Sequence, residues 1–263
     1  MNKLLKLEFR RLFMSKALYI CTAISLVMLL ISAFTSKLLY EALSSIEPED
    51  MEGMAQLGVT ALDLPTSLSL LKGIGSSSLT LILAVFIALF VTEEYTGDII
   101  KNVYAKGYSR DLVFFSKYLS SLTGSLFIVL ADAVFSIILG KALFGEFGTM
   151  GKNYISSFIA ILFLIVSYDT LYFAISISMR KTGGSIAISI FGPIVINLLL
   201  NLGNAISKSE TVDLTEYWIA GRLTILSYAE VSNKAVWLSF LVGGIALLAF
   251  GAAGFFLNRK RES

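Results

Sequence analysis

Residues 93–117 read EEYTGDIIKNVYAKGYSRDLVFFSK. This segment is polar and carries charges of both signs, whereas the stretches on either side of it, 76–92 and 118–140, are long apolar runs. Runs of that length and composition are typical of membrane spans. A charged, helix-like segment of about two dozen residues is long for a turn and short for a domain. The pattern therefore indicates a segment that contacts another molecule in the cytoplasm.

The composition of the whole chain indicates an integral membrane protein. Hydrophobic residues make up 56% of the 263 residues, charged residues make up 15%, and the mean hydropathy is +0.79. Soluble domains carry about 25% charged residues. The single cysteine, Cys21, excludes a disulfide within the chain. The absence of histidine excludes histidine zinc sites, Ser-His nucleophile pairs and histidine proton relays. The net charge of +2 gives no reason to expect a nucleic-acid partner.

Six segments are long and apolar enough for a membrane span, which needs about 20 residues. They are 17–39, 76–92, 118–140, 155–179, 185–205 and 235–257. Gly192 and Pro193 lie inside the fifth segment and favour a kink there. We therefore predict an all-α integral membrane protein with six transmembrane helices, in which residues 1–263 form a single transmembrane domain.

The distribution of lysine and arginine predicts the orientation of these spans. If the N-terminus is cytoplasmic, the inner segments hold about twice as many lysine and arginine residues as the outer segments. Both termini are then cytoplasmic. Residues 206–234 become the last extracellular loop, whose alternation of apolar and polar residues favours short helices that lie on the membrane. Trp218 and Trp237 flank the outer surface and are expected to be interfacial anchors.

The N-terminal segment 1–16 has the pattern of an amphipathic helix, because its apolar and basic residues recur at helical spacing on different faces. The apolar residues are Leu5, Phe9, Leu12 and Phe13, and the basic residues are Lys3, Lys6 and Arg10. We predict a helix in the inner interface next to anionic lipid. The alternative is an ordinary basic flank of the first span.

The cytoplasmic region 93–115 begins with a short amphipathic helix. Glu93-Glu94 ends the second span. The apolar pairs Ile99-Ile100 and Val103-Tyr104 lie about one helical turn apart, which indicates a helix at the membrane surface. Gly107 can stop this helix in a left-handed conformation.

A second helix is predicted to begin after Ser109, which can cap it, with Asp111 in the first turn. This helix leads into the third span. The short surface helix is therefore continuous with spans on both sides, and a force on it would move those spans. The alternative is a solvated loop without a function.

The same region resembles a known protein family. The pattern that carries the resemblance is Glu93-Glu94, Gly97, Ile99-Ile100-Lys101-Asn102, Ser109-Arg110 and Ser116-Lys117. It is similar to the type-two ABC transporter permease family. The six spans, the amphipathic N-terminus and the basic C-terminal end extend the similarity over nearly the whole chain. Asp98 departs from the pattern, because threonine is more usual at that position.

The resemblance implies an exporter permease that forms a homodimer, or a heterodimer with a second permease, and works with a separate nucleotide-binding ATPase subunit. That subunit would hold ATP and Mg²⁺, and this chain would bind no cofactor. The resemblance places the ATPase-coupling residues at Glu93, Glu94, Gly97, Asp98, Ile99, Ile100, Lys101, Asn102, Val103, Tyr104, Ser109 and Arg110. The sequence contains no G-x-x-x-x-G-K-[ST] phosphate loop, so we do not expect this chain to be an enzyme by itself.

The resemblance also suggests a cargo. Compact six-span permeases of this family often export antimicrobial or amphipathic toxin peptides in Gram-positive bacteria, and the chain is similar to permeases of phenol-soluble-modulin exporters. Peptide export across the plasma membrane of a Gram-positive bacterium is therefore the expectation. The alternative cargoes are drugs, ions and lipid-linked glycans.

Polar residues inside the spans form a second group of candidates. Asp132 and Asp169 lie in the third and fourth spans, where an ionised carboxylate is costly. Each must be protonated, hydrogen-bonded or facing water. Together with Tyr172, Asn197 and Asn201, they are candidates for a polar translocation path. The alternative is hydrogen bonding between helices that holds the bundle together.

Two other functions compete with ATP-driven transport. An intramembrane aspartyl protease needs two carboxyl groups that share a proton, and Asp132 and Asp169 lie on adjacent spans. Tyr168-Asp169 matches one half of the presenilin-type signature, but Gly-x-Gly-Asp is missing around Asp132. The other alternative is a passive channel or scaffold without an ATPase partner.

Overall fold

The regular structure of the chain is helical. The computed structural model describes residues 2–44, 66–75, 77–96, 103–145, 147–148, 150–207, 213–227 and 231–261. Within these ranges every regular element is a helix, and six helices are long and apolar enough to cross a membrane. The predicted all-α fold with six transmembrane helices is therefore confirmed.

Residues 103–105 are helical, and nine further α-helices are found in the described ranges. In chain order they are α1 (Asn2–Met14), α2 (Lys16–Ser44), α3 (Ser67–Lys72), α4 (Ser77–Thr96), α5 (Arg110–Phe144), α6 (Tyr154–Met179), α7 (Thr182–Ser207), α8 (Ile219–Ser227) and α9 (Asn233–Arg261). The spans are α2, α4, α5, α6, α7 and α9. Because the spans alternate in direction, α1, the start of α5 and the end of α9 share one end of the bundle. We call this the terminus end; α3 and α8 lie at the opposite end.

Several spans extend beyond the apolar runs that predict them. The largest extension is in α5, which is 35 residues long and begins at Arg110 rather than at 118. The polar stretch 110–117 continues the helix because Val113 and Phe114 within it are buried against the rest of the protein. α7 runs through Pro193 and is helical on both sides of it.

α4 and α6 form the centre of the bundle. Most of the apolar stretch of each is buried, and α6 packs against α4, α7, α8 and α9. α2, α7 and α9 are mostly exposed and carry large apolar side chains outward, such as Phe191 and Leu198 on α7. A helix that is apolar on every face is typical of a membrane interior. The outer helices therefore present a lipid-compatible surface around a protein-packed centre.

α1 is the predicted amphipathic helix, but its buried face differs in part from the prediction. Leu4, Glu8 and Leu12 are buried one turn apart, and α1 packs against α5. Phe13, which the sequence pattern places on the apolar face, is 47% exposed. The predicted face is confirmed at Leu12, which is buried, and at Phe9, which packs against the core. It fails at Phe13, because the contact follows a spacing of four residues that includes Glu8. An acidic residue carries no apolar signal in a sequence.

α8 enters the bundle from the opposite end. Its residues Ile219 and Leu223 are buried, and it packs against α6 and α9. The ring centroid of Trp218 lies 6.5 Å from that of Phe250, a residue in the interior of α9. The short helices predicted in 206–234 are present, and the apolar residues of α8 pack on protein. The interfacial position of Trp218 stays a prediction.

Candidate functional site

A cluster of charged side chains joins α1, α4 and α5 at the terminus end. Glu94 of α4 is 1% exposed, and its carboxylate forms ion pairs with Arg11 of α1 and Lys117 of α5. Arg11 also pairs with Glu93, with 3.0 Å between Nη2 and Oε2. The Arg11 Nη2 donates to the carbonyl oxygen of Phe90 at 3.1 Å. We call Glu8, Arg11, Glu93, Glu94 and Lys117 the junction cluster.

Glu8 supplies a second buried carboxyl group to the junction cluster. It is 0% exposed, and its Oε2 lies 3.8 Å from the Arg11 Nη1. Burial and the negative charge of Glu94 raise the pKa of Glu8 from its usual 4.5 to about 7, although Lys117 and Arg11 act in the opposite direction. Two cations thus face three carboxyl groups, and a proton on Glu8 offsets part of the excess negative charge near neutral pH.

Two aromatic rings extend the junction cluster to other helices. The Arg11 guanidinium lies 5.1 Å from the ring centroid of Phe90, and the Lys117 Nζ lies 4.5 Å from that of Tyr95. Arg180, in the turn between α6 and α7, lies 5.0 Å from the Tyr95 ring centroid. Cation–π contacts of this kind contribute about 0.5–2 kcal/mol each. The end of α4 is therefore in contact with α1, α5 and the α6–α7 turn.

Residues 103–109, which we call the turn before α5, have a protein-facing side and an exposed side. Val103 forms a small apolar cluster with Leu4 of α1 and Val113 of α5, and Tyr104 and Tyr108 pack against it. The exposed residues are Ala105, Lys106, Gly107 and Ser109, together with Arg110 at the start of α5. α1 and α5 thus hold the turn on one side, and its other side is accessible to another molecule.

The local conformation of this turn follows the sequence prediction closely. Gly107 has a positive φ of 82°, and its N–H donates to the Tyr104 carbonyl oxygen at 2.9 Å. The predicted left-handed stop is confirmed. Ser109 directly precedes α5, and Asp111 lies in the first turn, as predicted. The Ser109 hydroxyl makes no capping hydrogen bond, so it marks the helix start without contributing a side-chain cap.

The predicted coupling residues divide into two groups. Glu93, Glu94, Val103, Tyr104, Ser109 and Arg110 are described and gather at the terminus end. Gly97, Asp98, Ile99, Ile100, Lys101 and Asn102 lie outside the described residues.

Sequence patterns did not predict the contacts of Glu94 with Arg11 and Lys117, or the position of Glu8 beside them. One signal for Glu8 is present in the sequence. It is the acidic residue of an otherwise basic helix, four residues from both Leu4 and Leu12. An acid on the buried stripe of a basic helix indicates a cationic partner in the protein.

The structure does not bring Asp132 and Asp169 together. The Ser25 hydroxyl of α2 donates to the Asp132 Oδ1 at 2.9 Å. Asp169 is 2% exposed and interacts with Ser125 of α5 instead. Ser125 and Asp132 are two helical turns apart on α5, which separates them by about 10 Å along its axis. A proton-sharing dyad needs direct contact between two carboxyl groups. The geometry therefore argues against an aspartyl protease.

Tyr172 and Asn197 line a cavity of about 540 Å³ between α4, α6, α7 and α8. Thr80 and Tyr168 also line it. Asn201 lies outside this lining, and its Nδ2 donates to the Asn197 carbonyl oxygen at 3.0 Å. Of the five residues predicted for a translocation path, the structure thus brings Tyr172 and Asn197 to one cavity.

Asp132 lines a different cavity, of about 220 Å³, between α2, α3, α4 and α5. Ser25, Ser32 and Ser36 of α2 line it from one helix face, and Ser69 lines it from α3. The cavity therefore runs from Asp132 towards the opposite end of the bundle.

The comparison with protein families agrees with this architecture. A family model described as ABC-2 family transporter protein matches residues 4–196, well over half of the chain. The chain belongs to the ABC-2 transporter family. No curated protein and no solved structure matches it.

This assignment makes the chain an ABC permease subunit and a multi-pass membrane protein. Permeases of the ABC-2 family normally work with an ATPase subunit. The matched range of the permease runs from α1 into α7. It includes the junction cluster, the turn before α5, and both Asp132 and Asp169.

Proposed function

We propose that this permease is the membrane-spanning subunit of an ATP-driven exporter. A separate ATPase subunit holds ATP and Mg²⁺ and binds the exposed side of the turn before α5, on the cytoplasmic side of the membrane. The observation that supports this proposal most is the junction cluster. Lys117 stands about two helical turns after the start of α5, and Glu94 stands near the end of α4. A displacement of the turn is therefore transmitted to both spans.

The burial of the ion pairs suits such a transmission. Removing one partner of a buried ion pair costs about 3–5 kcal/mol, because the remaining charge is left without compensation. Glu94 and Lys117 are both almost fully buried and in direct contact. α4 and α5 therefore resist sliding past each other at this end and move as a unit with α1.

We infer amphipathic or antimicrobial and toxin-like peptides as the cargo. The cavity of about 540 Å³ is lined by apolar side chains such as Leu81 and Leu223 together with Thr80, Tyr172 and Asn197. Such a lining suits a molecule with both apolar and polar groups. Pockets of about 300–1,000 Å³ accept small molecules or a few side chains rather than folded domains.

A second permease, identical or different, completes the transporter in this proposal. The exposed apolar faces of α2 and α7 border the two cavities and suit contact with either lipid or that second subunit. The resemblance favours the plasma membrane of a Gram-positive bacterium. No nucleic-acid partner is involved.

Site-directed crosslinking tests the proposed ATPase contact. Lys106 is exposed on the turn, whereas Val103 is buried beneath it. Lys106→Cys is made in a Cys21→Ala background, because Cys21 is the single native cysteine. We expect a bifunctional or photoactivatable thiol reagent at this position to capture the ATPase encoded next to the permease.

The matched control is Lys152→Cys, which is also exposed but lies at the opposite end. It is expected to give no ATPase adduct. Equal capture from both positions, or none from Lys106→Cys although the ATPase copurifies, contradicts the proposed docking surface.

The peptide cargo is tested separately. Amphipathic peptides should stimulate ATP hydrolysis by the reconstituted complex, and a complete lack of stimulation contradicts peptide export.

A further inference from the structure

The cavity of about 220 Å³ beside Asp132 has the features of a binding site. Asp132 is 3% exposed, lies within the span α5, and is the one acidic residue in the described part of the lining. The Ser25 hydroxyl donates a hydrogen bond to the Asp132 Oδ1 at 2.9 Å. Ser32 and Ser36 continue a row of hydroxyl groups along α2 towards the opposite end. A polar path thus leads to a carboxyl group inside the membrane.

The described lysines near this cavity, Lys72 and Lys37, contact groups other than Asp132. The Lys72 Nζ lies 5.1 Å from the ring centroid of Tyr154. Lys37 pairs with Glu41 at 3.9 Å between Nζ and Oε1. No lysine or arginine occurs among the described residues that line the cavity. An ionised Asp132 therefore has hydroxyl groups around it but no cation from the lining, and ionised carboxylates inside membrane proteins usually pair with a cation or face water.

We propose that this cavity binds a primary ammonium group, with Asp132 as its counter-ion and the serine hydroxyls as additional hydrogen-bond acceptors. An ammonium group has three N–H donors, which a carboxylate and hydroxyl oxygens can accept. A water molecule occupies about 30 Å³, so a cavity of about 220 Å³ holds an aminoalkyl chain rather than a bare ion. Quaternary ammonium groups are recognised by aromatic rings, and no aromatic residue occurs among the described residues of the lining.

The site selects cargo that carries a primary ammonium group. A lysine side chain or a free N-terminus of a peptide carries the required ammonium group, and so do small aliphatic amines. The link to cargo rests on the proposed function. The binding site itself does not, because it lies within one permease chain and can be measured without the ATPase.

Thiol reaction rates measure the charge in the cavity. Ser32 is exposed and lies two helical turns, about 10 Å, from Ser25 along α2. Ser32→Cys is made in the Cys21→Ala background of the full-length permease in detergent. Its reaction rate with the cationic aminoethyl methanethiosulfonate is divided by its rate with the neutral methyl methanethiosulfonate. Asp132→Asn is expected to lower this ratio about tenfold. The reason is that it removes one negative charge about 10 Å from the thiol, in a partly polar site.

Two further variants keep the test informative. Asp132→Glu keeps the charge and should keep the ratio, whereas Asp111→Asn, at the start of the same helix, should leave it unchanged. An unchanged ratio in Asp132→Asn overturns the proposal. If Asp132→Asn does not fold, a ratio in the Asp132 protein equal to that of a small free thiol, such as 2-mercaptoethanol, overturns it equally.

Competition identifies the bound group. n-Butylammonium chloride should slow the reaction of Ser32→Cys with the neutral reagent, and n-butanol at the same concentration should not. Equal protection by n-butanol would show an apolar pocket, and protection by sodium chloride alone would show a bare-ion site. Either result overturns the ammonium proposal. The proposed function is unaffected by these outcomes, because the crosslink from Lys106→Cys tests it separately.

Discussion

At the scale of single residues, Glu94 is the side chain on which the junction cluster depends, because Arg11 and Lys117 both pair with its carboxylate. Glu94→Gln leaves Lys117, which is 2% exposed, without its ion-pair partner. We expect a loss of about 3–5 kcal/mol in stability, measured as a lower thermal unfolding midpoint of the purified permease.

Glu93 offers the matched control for this substitution. Its side chain is 61% exposed although it pairs with the same arginine. Exposed ion pairs contribute about 0–1 kcal/mol, so Glu93→Gln should change the unfolding midpoint little. The double variant Glu94→Gln with Lys117→Met should recover part of the lost stability. Equal effects of the two single substitutions would contradict the assignment of Glu94 as the central partner.

Glu8 predicts a pH dependence of stability. Its pKa in the folded protein is about 7, above its usual 4.5, so the folded state binds this proton more tightly than the unfolded state does. The favourable contribution of the proton is complete below pH 4.5 and is lost as the pH rises through about 7. We expect Glu8→Gln to flatten the fall of the unfolding midpoint over this interval. An identical pH profile for both proteins would contradict the raised pKa.

At the scale of elements, Gly107 and Gly145 form a natural pair for comparison. Both have positive φ, 82° and 75°, and a Cβ at either position meets no atom within 4 Å. Replacing either glycine by alanine should therefore cost a similar amount, about 1 kcal/mol, from backbone strain alone. Gly107 lies on the turn before α5, whereas Gly145 follows the other end of the same helix.

The proposed ATPase contact distinguishes these two glycines. Gly107→Ala should lower the crosslinking yield from Lys106→Cys and the ATPase activity of the complex, because it changes the shape of the turn. Gly145→Ala should lower neither beyond the effect of its stability loss. Equal effects of the two substitutions on ATPase activity would contradict a special role for the turn.

The sequence predicted the elements well and their contacts poorly. Long apolar runs locate all six spans, because hydrocarbon requires them, and Gly107 locates the stop before α5. The contact of Glu94 with Arg11 could not be predicted, because Arg10 and Arg11 have the same chemistry and only the packing of α1 distinguishes them. The contact of Trp218 with Phe250 could not be predicted either. An apolar residue near a membrane surface suits lipid and protein equally in a sequence.

At the scale of the whole molecule, the distribution of basic residues predicts its orientation. Lys106 and Lys152 are both exposed and lie at opposite ends of the bundle. In intact cells, a membrane-impermeant maleimide should label Lys152→Cys and should label Lys106→Cys only after permeabilisation, both in the Cys21→Ala background. The reverse pattern would place both termini outside and would remove the turn from the reach of a cytoplasmic ATPase.

The length of α5 has a mechanical consequence. Its 35 residues form a rod about 52 Å long, whereas the hydrocarbon core of a bilayer is about 30 Å thick. When a rod pivots inside the bilayer, its two ends move in opposite directions. At the far end, Gly140 lies so close to Ser67 of α3 that an added Cβ would come within 2.4 Å of the Ser67 Cα. We therefore expect a displacement at Arg110 to move α3, which contributes Ser69 to the wall of the cavity beside Asp132.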